Sequence, residues 1–269
     1  MKKDRSHVSP SVVSLLKSAF FCAAILVSVR PSAATLNIGS DTTFNSYYYG
    51  TINIVASNIT VNFNNNWVLS SGDAWSVLVY NQSNVTLQNA SSISGADIGI
   101  YCENSDHVVI EDINAYGDDW GIYVSNCENC EVNDCFAVAE TYDGICFYQG
   151  ENVVANDCDA NYCGRAGFWG ASYLIGFFDC TAYANDNYGF ASVGSNASYI
   201  WYNDALYNGS TGFLDYYTNS SWYFYCTSNN NGAYGYNNYN NGSTNLGDQF
   251  CASTASGNGI DDFVNWPCY

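Results

Sequence analysis

A glycine followed by an apolar or aromatic residue returns along this chain at an almost constant interval, and that period limits the fold more than any other feature. The pairs are Gly99-Ile100, Gly121-Ile122, Gly144-Ile145, Gly167-Phe168, Gly189-Phe190, Gly212-Phe213, Gly235-Tyr236 and Gly259-Ile260, spaced by 22, 23, 23, 22, 23, 23 and 24 residues. Two further columns keep step. Seven to nine residues before each glycine stands a small or apolar residue: Ala90, Ile113, Cys135, Cys158, Cys180, Ala205, Cys226, Cys251. Immediately before most of these comes an amide or acid: Asn89, Asp112, Asp134, Asp157, Asp179, Asp204.

A fixed period of this length marks a repeat architecture. Helical repeats need apolar residues at helical spacing and run longer. The runs here are short and alternating, as in Val108-Val109-Ile110 and Asn84-Val85-Thr86-Leu87, and no leucine framework is present. The pattern therefore predicts a β-solenoid, in which one coil cannot bury its own face and stacked coils close a continuous core. Gly121-Ile122-Tyr123-Val124-Ser125-Asn126 and Cys130-Glu131-Val132-Asn133-Asp134-Cys135 resemble the repeats of NosD-like and pectate-lyase-like proteins. The resemblance implies an all-β, right-handed parallel β-helix of about nine to ten coils of about 23 residues. Residues 35–80 are expected to form an N-terminal cap and the first coils, 81–240 the regular coils, and 241–269 the last coil and a C-terminal cap.

Residues 1–34 read as a secretory signal peptide: Lys2, Lys3 and Arg5, an apolar run from Ala19 to Val27, then the small-residue site Ser32-Ala33-Ala34. The mature chain is expected to be extracellular, at the cell surface, with no membrane insertion after cleavage. Of 6 basic residues only Arg165 lies beyond residue 30, against 25 acidic ones and a net charge of −19. Phosphate contacts need Lys and Arg, so nucleic acid is excluded as a partner.

The columns suggest roles. Each glycine is expected at a turn of positive φ or at a close backbone approach, with the next residue pointing inward. Cys135, Cys158, Cys180 and Cys226 would form a ladder of buried thiols. Cys102, Cys127, Cys130, Cys146, Cys163, Cys251 and Cys268 are candidates for disulfides within or between molecules, given an oxidising destination. Cys127 and Cys130 lack the second pair that a metal site of this kind needs. Asp112, Asp134, Asp157, Asp179 and Asp204 would form a line of carboxylates about 5 Å apart. They either cap turn N–H groups in water or hold a hard cation such as Ca2+, the only cofactor the sequence suggests. Eight Asn-x-Ser/Thr sequons, Asn208 and Asn241 among them, allow glycosylation.

The main expectation is a secreted surface or envelope protein that self-associates into a coat, sheath or filament, with a polysaccharide-active enzyme and a glycan-binding adhesin as alternatives. The β-helix resemblance implies polysaccharide lyases or hydrolases, for which Asp118, Asp119 and Arg165 are the candidate catalytic residues, with His107 as the other possible lyase base. The His-Gly and Arg-x-Lys elements of pectin hydrolases of this fold are missing. The acidic, lysine-free mature chain, rich in Tyr, Asn and Cys, is similar in composition to the self-assembling extracellular sheath proteins of methanogenic archaea. That similarity implies a secreted, disulfide-toughened structural protein whose partner is itself or another envelope protein, with Tyr216 to Tyr239 as a contact face. A glycan-binding adhesin is the third reading.

Overall fold

The computed structural model describes residues 34–139, 141–239, 249–251 and 253–264; the signal segment up to residue 33, Asn241 and Cys268 lie outside them. The chain winds into a parallel β-solenoid of about nine turns of about 23 residues, with no helix among the described residues. Each turn contributes to three stacks of strands. Face one runs through Trp75–Tyr80, Ile98–Glu103, Trp120–Ser125, Asp143–Tyr148, Ala166–Ala171, Tyr188–Val193, Thr211–Tyr216 and Tyr234–Tyr239. Face two includes Glu131–Asn133, Val153–Asn156, Leu174–Phe178, Ala197–Trp201 and Ser221–Phe224, and face three Phe136–Ala139, Asp159–Asn161, Thr181–Tyr183, Asp204–Leu206 and Thr227–Asn229. In the earlier coils faces two and three are single long strands, Ser83–Ser94 and Asp106–Gly117. All pairings are parallel, so each residue lies directly over its counterpart in the next coil.

Alternate residues of each strand point inward, and like stacks on like. The residue after each repeat glycine builds the central column, Ile100, Ile122, Ile145, Phe168, Phe190, Phe213 and Tyr236 in register. Phe168, Phe190, Phe213 and Tyr236 stack with centroids 4.7, 5.0 and 4.8 Å apart, close to the coil rise. The glycines serve close approach alone, because none in this column has a positive φ. A Cβ on Gly121 would lie 2.7 Å from the Gly144 carbonyl oxygen, and one on Gly189 2.6 Å from that of Gly212. Corners are turned instead by left-handed residues, mostly Asn and Asp, whose short polar side chains tolerate that conformation.

The register corrects the C-terminal members of the sequence columns. Tyr236 pairs with Phe263, so Gly259-Ile260 falls outside the glycine column and Ile260 is exposed. Asp204 and Ala205 pair with Thr181 and Ala182 inside a strand, two positions beyond the expected corner. Asn203 therefore takes the place between Cys180 and Cys226: its Oδ1 accepts from the Cys180 N–H at 2.8 Å and its Nδ2 donates to Phe177 O at 2.7 Å. Cys251 pairs with Phe224 on face two, not with Cys226.

Cys135, Cys158, Cys180 and Cys226 are buried, and each Sγ bonds a carbonyl of the preceding coil. Cys102, Cys127, Cys130, Cys146 and Cys163 are buried free thiols as well, although they stand outside that column. A second ladder lies outside the three sequence columns. Asn185, Asn208, Asn231 and Asn258 occupy one corner, each side-chain amide donating to the next Oδ1 at 2.9, 2.9 and 3.0 Å. Asn208 is thereby buried, so its sequon offers no amide for glycosylation.

Gly189→Ala is expected to destabilise by about 1–3 kcal/mol through overpacking against backbone. Gly39→Ala, where the added carbon meets only Val55 at 3.7 Å, should stay within about 0.5 kcal/mol in the same urea titration. Burial pushes the thiols of Cys163 and Cys226 up to about 12. Their folded values exceed the unfolded one, so their stabilising effect is complete below about pH 8.5 and is lost as pH rises toward 12. Each thiol should remove about 1.4 kcal/mol per pH unit across that window, visible as a falling Tm that Cys163→Ala makes shallower.

Candidate functional site

The outer side of face one breaks the rule of like on like. The residue two places after each repeat glycine gives an outward column of Tyr101, Tyr123, Cys146 and Trp169. The residue just before the glycine is Trp120 in one coil and Asp143 in the next. Rings fill the upper part: Trp75 lies 6.2 Å from Tyr101, Tyr101 stacks on Tyr123 at 5.3 Å, and Trp120 stacks on both Tyr123 and Tyr142, at 5.0 and 4.8 Å. Below them Cys146 is small, and its place is covered by neighbouring side chains so that it is buried.

Arg165 reaches into this gap from the corner of the next coil. Its Nε donates to Asp143 Oδ1 at 2.9 Å and its Nη2 to Oδ2. The guanidinium carbon sits 3.9 Å from the Trp169 ring centroid and 5.4 Å from that of Tyr142. Asp143 is fully buried while the Arg165 side chain is 32% exposed. Burial raises the Asp143 pKa, opposed by Arg165 and more weakly by the Trp120 indole N–H, which lies outside full hydrogen-bond geometry. Burial also works against the Arg165 charge, yet the bonds and attraction of Asp143 lift its pKa above the ordinary value. Arg165 is thus held as a cation whose charge is balanced by Asp143.

The sequence candidates separate accordingly. Asp119, Tyr142 and Arg165 occupy one corner on consecutive coils, linked by the Tyr142 N–H to Asp119 O at 3.1 Å and the Arg165 N–H to Tyr142 O at 2.8 Å. Asp118, beside Asp119, is exposed. His107 stands at another corner, left-handed at φ 52° and 2.7 Å from Asp106, across the width of face one from Arg165. Asp112, Asp134, Asp157 and Asp179 are exposed left-handed corner residues with φ of 51–53°, whereas Asp204 lies in a strand and Tyr202 takes its corner. Among the described residues no three His, Cys, Asp or Glu side chains converge to hold a metal ion. Sequence reasoning missed Asp143 and the aromatic residues, although their fixed offsets from the glycines carried a signal.

The sequence matches the model of the right-handed β-helix region over residues 75–250. The chain belongs to the right-handed β-helix family. Among solved structures it is similar to a periplasmic alginate epimerase, at 12% identity and TM-score 0.62, over 81% of this chain and 62% of that one. It is also similar to a pectate lyase, at 16% identity and TM-score 0.57, over 88% and 72% of the two chains. A lacto-N-biosidase from Eubacterium ramulus aligns at 11% identity and TM-score 0.52, over 90% and 64%. This β-helix spans less than two thirds of the epimerase and of the biosidase, and at these identities the likeness is one of fold. No curated protein matches the sequence.

In this β-helix protein, Asp143→Ala would strand a half-buried guanidinium and is expected to cost about 3 kcal/mol. The apolar pair Asp143→Leu with Arg165→Met should recover most of that loss, which urea unfolding of the three proteins measures.

Proposed function

We propose that this protein binds a neutral polysaccharide along the outer side of face one. The observation that carries the reading is the Arg165 guanidinium held 3.9 Å over the Trp169 ring by a buried carboxylate, at the end of a row of Trp and Tyr rings. Aromatic rings receive the C–H faces of sugars, and an immobilised guanidinium with Nη1 left to donate orients their hydroxyls at little entropic cost. A neutral chain fits better than a uronate polymer: Asp143 cancels the charge of Arg165, the one Lys or Arg among the described residues, and a net charge of −19 repels polyanions. The similar structures named for alginate, pectate and lacto-N-biose chemistry support a sugar-directed role by analogy of fold. The reading of residues 1–34 as a secretory signal supports this role, since such polymers occur outside the cell.

A hydrolytic variant of this reading rests on Asp119, whose corner is shared with Arg165. A surface-coat role rests on the exposed tyrosines, such as Tyr216, which stacks on Tyr239 at 5.3 Å. Affinity electrophoresis of the mature protein against neutral and uronate polysaccharides separates these. Retardation by a neutral polymer, weakened at least tenfold (about 1.4 kcal/mol) in Trp169→Ala and Arg165→Ala proteins of native circular dichroism, is expected. Retardation by uronates alone, or unchanged in both variants, would overturn the reading. Reducing ends released by the wild type and lost in Asp119→Asn would establish the hydrolytic variant.

A further inference from the structure

The corner that follows face two changes its residue type toward the C-terminal end. Asp112, Asp134, Asp157 and Asp179 hold it in four coils, then Tyr202 and Tyr225 in the next two. Both tyrosines keep the left-handed backbone, φ 59° and 53°, which short acids adopt with less strain. Packing does not call for them, since they are 53% and 55% exposed. Strain retained to display a side chain points to a use for that side chain. The two rings stack on one another, centroids 5.1 Å apart and planes inclined by 5°. The backbone holds them there: Trp201 pairs with Phe224, and the Tyr202 N–H donates to Phe224 O at 2.8 Å. Two other tyrosine pairs stack at 5.3 Å in less open surroundings. Tyr101 and Tyr123 are half-buried, with Trp75 and Trp120 against them. Tyr216 and Tyr239 have Tyr217 edge-on to both, at 4.4 and 6.3 Å.

We propose that Tyr202 and Tyr225 form a modification site, at which an extracellular one-electron oxidant joins the two rings as dityrosine and staples adjacent coils. The reaction balances with a peroxidase and hydrogen peroxide as the oxidant. Each phenol gives up one hydrogen atom, leaving a phenoxyl radical whose spin is shared with the ring carbons ortho to oxygen. Two ortho carbons form the new C–C bond, their hydrogens return to the phenolic oxygens, and the peroxide leaves as two waters. Such radicals couple where they meet, so geometry decides the product. Here the rings are neighbours at the coil spacing before either is oxidised, which replaces a bimolecular encounter by an intramolecular one. A net charge of −19 works against the encounter of two copies. Exposure lets the oxidant reach both rings and leaves them room to pivot into contact. The nine cysteines from Cys102 to Cys226 are buried thiols, so they offer no comparable link at the surface.

Peroxidase and hydrogen peroxide, added to the dilute mature protein, test this. Dityrosine fluorescence in the monomer fraction is expected, with a proteolytic map that joins the Tyr202 peptide to the Tyr225 peptide, two hydrogens lighter than their sum. Tyr202→Phe and Tyr225→Phe keep the ring and remove the phenol, and each should lower the emission about tenfold. Tyr173→Phe, at a residue 60% exposed and stacked on no tyrosine among the described residues, should leave it unchanged. The linked protein should unfold at a higher urea concentration than the unlinked one, because a cross-link restricts the unfolded chain. No emission from the wild type, emission indifferent to both Phe variants, or a link formed between two copies would overturn the site. A link mapped to Tyr101–Tyr123 or Tyr216–Tyr239 in its place would overturn the choice of pair. The expected link without a rise in the urea midpoint would overturn its role as a staple.

Discussion

Each coil must lie about 4.8 Å from an almost identical coil above and below it, and the parallel hydrogen-bond ladder fixes that distance everywhere at once. A side chain enters an inner column most easily when it packs against its own kind at that spacing. Stacked phenylalanines, small thiols, alanines and asparagine amides do so, whereas Asp215, buried in the column between Ser192 and Asn238, instead accepts a hydrogen bond from the Thr218 hydroxyl. The glycine column follows from the same spacing, because the backbone at the start of each face-one strand comes so near the next coil that a Cβ would enter a carbonyl oxygen. A charged fraction of only 12% is a consequence of this geometry as much as of any function.

Where a column departs from self-similarity, the departure is informative. On face one the small Cys146 between Tyr123 and Trp169 opens the space that Arg165 and Asp143 fill. Replacing either member of that pair by Ala leaves the other without its partner in a poorly solvated place, so the two are coupled energetically as well as spatially. On face two one outward column turns from amides and acids to rings at Phe178, and the neighbouring column and the corner follow one coil later at Tyr199 and Tyr202.

Much of this could be read from the chain. The period, the inward residue after each glycine and the thiol ladder from Cys135 to Cys180 all follow from spacing, because in a solenoid equal spacing is equal position. The aspartate column was legible as a set of corners for Asp112 to Asp179, but not for Asp204. There the interval lengthens by two, and composition alone could not say whether the extra residues belonged to the strand or the turn. Ala205, Cys251 and Gly259 were misplaced for the same reason: a column of small residues near the right interval is not yet a register.

The sequence by itself determined the architecture, because a repeating pattern of glycine, apolar residue and turn-forming amide has one efficient way to bury its apolar stripe. Only the tertiary structure decided what the outside can do. Asp143 sits on one coil and Arg165 and Trp169 on the next, more than twenty residues away along the chain and a few ångströms away in space. Which of the many Asp, Tyr and Trp side chains become neighbours across coils depends on register to the residue, and register is set by backbone pairing rather than by composition.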